Sequence, residues 1–103
     1  MASSKRYLEY ILNCLSSLDG ITHRSMMKEY VIYYRGKIIG GIYDDRFLIK
    51  PTPSAELLLP DAPRALPYEG AKEMLTVENP EDKELLNKLV NAVFDELPAP
   101  KNR

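Results

Sequence analysis

The chain has one cysteine, one histidine and no tryptophan among its 103 residues, so few side chains are present that act as nucleophile, general base or soft metal ligand. A single thiol, Cys14, excludes an internal disulfide, and secreted domains this small usually depend on such staples; a reducing cytoplasm is expected. No P-loop, no G-x-G-x-x-G, no nucleophile elbow, no H-E-x-x-H and no C-x-x-C occurs. The longest apolar run, Tyr30 to Tyr34, falls far short of the roughly 20 residues a membrane span needs, and the N-terminal stretch has no apolar h-region. No membrane contact is expected, and the chain reads as soluble. Charge of one sign is also lacking: 14 Lys and Arg face 15 Asp and Glu, and a net charge of -1 provides no global field for nucleic acid or anionic lipid. No segment repeats.

What is present is enough for one domain, residues 1–103, with a single modest core. Residues 1–50 hold eight basic and five acidic side chains and residues 51–103 six and ten, a mild polarity read as a solvated surface of uneven composition. The organising stretch is Tyr30 to Pro51, YVIYYRGKIIGGIYDDRFLIKP, three apolar runs separated by Arg35-Gly36 and Asp44-Asp45. Branched and aromatic side chains pack well on a pleated surface, so this stretch predicts a β-meander. A two-residue type I′ loop forces Arg35 to positive φ, so a type I turn with Gly36 in a bulge is expected at the first hairpin. That register sets Ile32 opposite Ile38. One face then carries Tyr30, Ile32, Ile38, Gly40 and Ile42, and the other Val31, Tyr33, Lys37, Ile39 and Tyr43, so neither face is polar. Gly40-Gly41 is expected to mark a bulge, a sharp twist or close approach of another backbone.

Helices flank the meander. Ser3 or Ser4 caps a first one, whose stripe Leu8, Ile11, Leu12, Leu15 and Leu18 recurs at helical spacing up to Asp19-Gly20. Ile21 to Met27 predicts a short strand or an extended entry into the sheet. All eight prolines lie beyond residue 50. There Ser54 caps a turn or two of helix ended by Pro60, and Pro63, Pro67 and Gly70 punctuate a long loop that Leu66 and Tyr68 are expected to pin. Met74 to Val77 predicts a last strand. Asn79-Pro80-Glu81-Asp82 predicts a helix start, and Leu85, Leu86, Leu89, Val90, Val93, Phe94 and Leu97 its buried stripe, ended by Pro98 before a frayed polar tail from Pro100 to Arg103. The whole is an α+β pattern.

Candidate chemistry is thin. Asp44 and Asp45 invite a cation or an acid–base pair, but either role needs further carboxylates, and aspartates are favoured in turns for their own hydrogen bonding. His23 stands without a nearby nucleophile and acid, and Cys14 lies beside a buried helical stripe with no fixed base. Arg24, Lys28, Arg35, Lys37, Arg46 and Lys50, interleaved with tyrosines, form a nucleic-acid-binding alternative if they share one side, although neither long helix resembles a recognition helix.

The order helix, Arg24-Ser25-Met26-Met27, Gly36-Lys37, Arg46-Phe47-Leu48-Ile49-Lys50, proline-rich loop, strand and helix resembles the N-terminal domain of the TfoX/Sxy family, from about Ser3 to Leu97. Where that family commonly has Arg-Pro-Met-Phe-Gly, this chain has Arg24-Ser25-Met26-Met27-Lys28, and the second, helical domain of the two-domain regulators is not in it. The resemblance implies a two-layer α/β sandwich of secretion-chaperone-like type, with an antiparallel sheet of four or five strands and the terminal helices on one face. It further implies a stand-alone, prokaryotic, non-enzymatic regulatory module that binds a protein of the transcription machinery or its regulators, as competence regulators do, with no catalytic residue, metal or cofactor. The candidate contact surface is Arg24, Asp44, Asp45, Arg46 and Lys50. The sheet face away from the helices still carries apolar groups, and either a second copy of the chain or the proline-rich loop is expected to cover it.

Overall fold

Ser4 accepts a hydrogen bond from the Tyr7 N–H at 3.1 Å and so starts the first helix, α1, Lys5–Cys14, in the computed structural model, which describes residues 3–27 and 29–98. The helix stops four residues short of Leu18. Ser16 and Ser17 follow it, and serine hydroxyls compete with the helical backbone for hydrogen bonds; Ser17 Oγ instead donates to Asn87 Oδ1 at 3.0 Å. Leu15 remains fully buried all the same.

Four strands follow, β1 (Ile21–Met26), β2 (Glu29–Tyr34), β3 (Lys37–Tyr43) and β4 (Arg46–Ile49), then a short helix α2 (Pro53–Leu58), strands β5 (Arg64–Ala65) and β6 (Met74–Thr76), and helix α3 (Lys83–Glu96). The strands form one antiparallel sheet in the order β1-β2-β3-β4-β6-β5. Six strands stand where four or five are expected from sequence. The addition is β5, two residues inside the proline-rich loop, too short to leave a periodic signal. Two caps also move by a few residues. Thr52 rather than Ser54 caps α2, with Pro53 in its first turn, and Asp82 rather than Asn79 caps α3 by accepting from the Leu85 N–H at 3.1 Å. Asn79 and Pro80 form the turn before it, where the Asp82 N–H donates to the Asn79 carbonyl.

Both terminal helices lie on one face of the sheet. Alternation along the strands sends Ile32, Ile42, Phe47, Ile49 and Leu75 to that face, where Leu8 and Ile11 of α1 and Leu86, Leu89, Val90 and Val93 of α3 close over them. Each such fully buried side chain contributes roughly 1.5–3 kcal/mol by removal from water, which is what holds the two layers together.

The register of β2 on β3 departs from the expected one. Tyr30, Val31 and Ile32 pair with Ile42, Gly41 and Gly40, but Tyr33 pairs with Ile38 and Tyr34 with Lys37, so Ile39 is an extra residue. The bulge sends Ile39 into the helix-side core, fully buried, and turns Ile38 to the other face. The bulge lies beside Gly40, where the β4 backbone comes so close that a Cβ would run into the Leu48 carbonyl oxygen and lie 2.9 Å from Ile49 Cα. The Arg35-Gly36 turn is corrected too. Both residues take positive φ, 50° and 87°, giving the two-residue loop whose twist suits a hairpin. The strain at Arg35 is offset by its contacts: its N–H donates to the Gly20 carbonyl at 2.9 Å, its Nε to the Asp19 carbonyl at 3.3 Å, and its guanidinium lies 5.1 Å from the Tyr34 ring centre.

Candidate functional site

The face opposite the helices is built on a missing side chain. Val31, Gly41, Leu48 and Thr76 form one row across β2, β3, β4 and β6, and at Gly41 the row has no Cβ. A Cβ there would lie 2.6 Å from the Tyr43 ring and 2.6 Å from the Tyr30 carbonyl oxygen, so the Tyr43 ring occupies the space above Gly41. Tyr43, Leu48 and Met74 make a second, smaller buried cluster on this face, with Ala65 against it. Burial pushes the Tyr43 hydroxyl above its ordinary pKa.

Over this floor passes the loop between β5 and β6. Its Tyr68 ring packs on Tyr43 at 6.4 Å between centroids, tilted by 57°. Between loop and sheet runs an open cleft of about 700 Å³, within the size range of ligand-binding clefts. Val31, Ile38, Tyr43 and Met74 line its apolar part, Met26 and Leu97 border it, and Lys50, Lys72 and Glu73 supply its charges. Met26, Ile38 and Tyr68 stay 46%, 39% and 60% exposed. The loop therefore covers part of the face and leaves a groove. Tyr68 pins it as expected, whereas Leu66 remains half exposed.

The candidate contact residues fall in two places. Arg24 pairs with Val31 and stands two residues before Met26, which puts it on the open face; Lys50, two residues past Leu48, lines the cleft. Arg46 pairs with Tyr43, and its Nε donates back to the Tyr43 carbonyl at 3.3 Å. Asp44 and Asp45 form the β3–β4 turn, both at positive φ, and are tied to the start of the chain. The Ser4 N–H donates to Asp45 Oδ1 at 2.7 Å, the Asp45 N–H to Ser3 Oγ at 3.1 Å, and Ser3 Oγ to Glu29 Oε1 at 2.5 Å, which also receives the Asp44 N–H at 3.3 Å. Asp45 holds the helix start in place, and Asp44 is tied to Glu29 of β2. Among the described residues no group of three His, Cys, Asp or Glu is arranged to hold a metal ion.

The basic residues weighed for nucleic acid do not share a side. Lys37 faces the helices, its Nζ donating to the Phe94 and Leu97 carbonyls; Arg35 is engaged at a hairpin tip; Lys28 lies outside the described residues, as does the tail from Pro100 to Arg103. His23 is exposed on β1, edge-on to Tyr30. Cys14 is buried, and burial raises its thiol pKa, so it is poorly disposed to act as a thiolate. A smaller pocket beside α1 is lined by Tyr7, Tyr10, Arg46, Glu78 and Glu81, where the Tyr10 hydroxyl donates to Glu81 Oε1 at 3.1 Å and is pushed up to about 12 by that bond. Tyr68 was expected on this face as an anchor of the loop; missing from the sequence reading were Lys72 and Met74 as one wall of a cleft. Only the length of the proline-rich loop pointed there.

No helix of the described residues is long and apolar enough to cross a membrane. No family model matches the chain, and no solved structure matches it. It is 27% identical over 104 residues to an uncharacterized 12.7 kDa protein in the trpE 5' region of Spirochaeta aurantia, a similarity that spans 100% of this chain and 90% of that protein.

Proposed function

We propose that the chain is a non-enzymatic protein-binding or regulatory module of the cytoplasm, as its resemblance to the N-terminal domain of TfoX/Sxy regulators implies, and that it meets its partner on the sheet face opposite the helices. The observation that carries this reading is the groove on that face. Its floor is a buried apolar cluster, Met26, Ile38 and Tyr68 stand exposed around it, and basic side chains flank it. Contiguous apolar surface of this kind, rimmed by polar groups, marks interaction sites. Capture from native lysate with a tagged chain, compared with an Arg24→Glu and Lys50→Glu variant of matching circular dichroism, tests it. The wild type retains a specific protein that the variant loses; a partner held equally by both moves the site off this face. A labelled duplex or single strand that shifts at micromolar protein and low salt would instead favour nucleic acid.

A further inference from the structure

Taking the protein-binding reading of the open face as its basis, we infer that the partner presents an extended segment with carboxylates at both ends of a short apolar centre, which lies across the cleft between Arg24 at one end and Lys50 and Lys72 at the other. The charge pattern sets this chemistry. Arg24 is on β1 and Lys50 follows β4, three strand spacings apart, about 14 Å. Among the described residues none of these three cations makes an ion pair. Three acids lie on or beside the face: Glu29 is already engaged by Ser3 and the Asp44 N–H, Glu73 stands beside Lys72, and Glu69 is exposed on the loop between Tyr68 and Gly70, so it is the placing of cations at both ends of the groove, and not a net positive field, that sets the pattern.

The spacing excludes a single small anion as the matching occupant, because one carboxylate cannot reach both ends. An extended chain rises about 3.3 Å per residue, so carboxylates about four residues apart span the two sets of cations. The side chains between them then meet Met26, Ile38 and Tyr68, whose exposed apolar surface gives them a dry seat. Charge sets orientation and encounter, and the apolar centre supplies affinity.

Fluorescence anisotropy with three labelled peptides tests the inference: Asp-Glu pairs flanking Leu-Phe-Leu, Lys pairs flanking the same centre, and Asp-Glu pairs flanking Ser-Gly-Ser. The first is expected to bind saturably and at least about tenfold more tightly than either control, with affinity falling as salt rises through the screening range. An Arg24→Glu and Lys50→Glu variant weakens it by about tenfold or more, whereas Lys88→Glu on the exposed side of α3 leaves it unchanged. Equal binding of acidic and basic peptides to the wild type, a comparison that needs no variant to fold, overturns the inference, as does undiminished binding by a folded Arg24→Glu and Lys50→Glu variant. A dimer mass in light scattering that Ile38→Glu abolishes assigns the face to a second copy and overturns it too. A partner captured through this face without any peptide preference sinks the charge pattern alone. Failure to capture any partner through this face sinks the protein-binding reading itself.

Discussion

The Lys37 ammonium donates to the Leu97 carbonyl oxygen at 2.9 Å, so a residue of β3 closes the C-terminal end of α3. The same nitrogen donates to the Phe94 carbonyl at 2.9 Å and lies 4.1 Å from the Phe94 ring centre. The last carbonyls of a helix lack partners within it and carry the negative end of its dipole, and a lysine answers both.

Lys37→Met keeps the packed stem and removes the charge. It is expected to lower stability by about 1.5–3 kcal/mol, the range for a hydrogen bond to a charged group, and to speed amide exchange in the last turn of α3. Urea unfolding and exchange by nuclear magnetic resonance measure the two effects. Partner capture is unchanged, since Lys37 faces the helices.

Much of this fold was legible in the chain because burial on one face leaves a period. The leucines and isoleucines of α1 and α3, and the branched runs of β2, β3 and β4, reveal the helices and the meander in that way. A bulge leaves none: one extra residue at Ile39 reverses the faces of Ile38 and Ile39, and only the neighbouring glycines hint at it. The positive φ of Arg35 rests on Asp19, Gly20 and Tyr34, contacts that no local rule contains. Half of the candidate site could be read. The proline-rich loop with Tyr68 was one of two expected covers for this face, but that Arg24, Lys50 and Lys72 share it depends on strand register and tertiary packing. Asp44 and Asp45 form the turn that their chemistry predicts, and what that chemistry omits is their distant partners, Glu29 for Asp44 and the start of α1 for Asp45.

Gly40→Ala and Gly41→Ala are expected to differ. At Gly40 the new methyl meets the backbone of β4, which cannot yield without breaking the ladder, and overpacking of about 1–3 kcal/mol is expected. At Gly41 it meets the Tyr30 carbonyl and the Tyr43 ring, so part of the strain is relieved by swinging the ring off the floor of the cleft. Gly41→Ala should thus unfold at the higher denaturant concentration of the two yet change Tyr68 and Met74 resonances the more.

Glu96 ties α2 to α3. Its carboxylate accepts from the Ser54 N–H at 3.0 Å and from Ser54 Oγ at 2.5 Å, and these bonds hold its pKa below the usual carboxylate value. A carboxyl depressed by folding contributes stability above its unfolded pKa and loses it as pH falls through the folded one. Protection of α2 amides is therefore expected to be full at pH 7 and to fall on acidification below about 4.5. Glu96→Gln should reduce protection at neutral pH and remove most of that acid-side decline. An equal decline in both proteins would assign the acid sensitivity elsewhere.

Asp45 provides the sharpest separation of scaffold from surface. Its carboxylate receives the Ser4 N–H, and its backbone sits at φ 55°, a conformation that aspartate and asparagine tolerate better than alanine. Asp45→Asn keeps an acceptor oxygen and the turn, so a small loss is expected, whereas Asp45→Ala gives up both and should lose about 0.5–1.5 kcal/mol from the hydrogen bond, with turn strain added. The loss should be felt first at the start of α1, as faster amide exchange at Ser4 and the residues after it, because that is what the carboxylate holds. Neither variant is expected to alter capture of a partner that Arg24→Glu and Lys50→Glu abolishes. If Asp45→Asn instead loses the partner while the amides of α1 stay protected, the hairpin tip itself belongs to the contact surface.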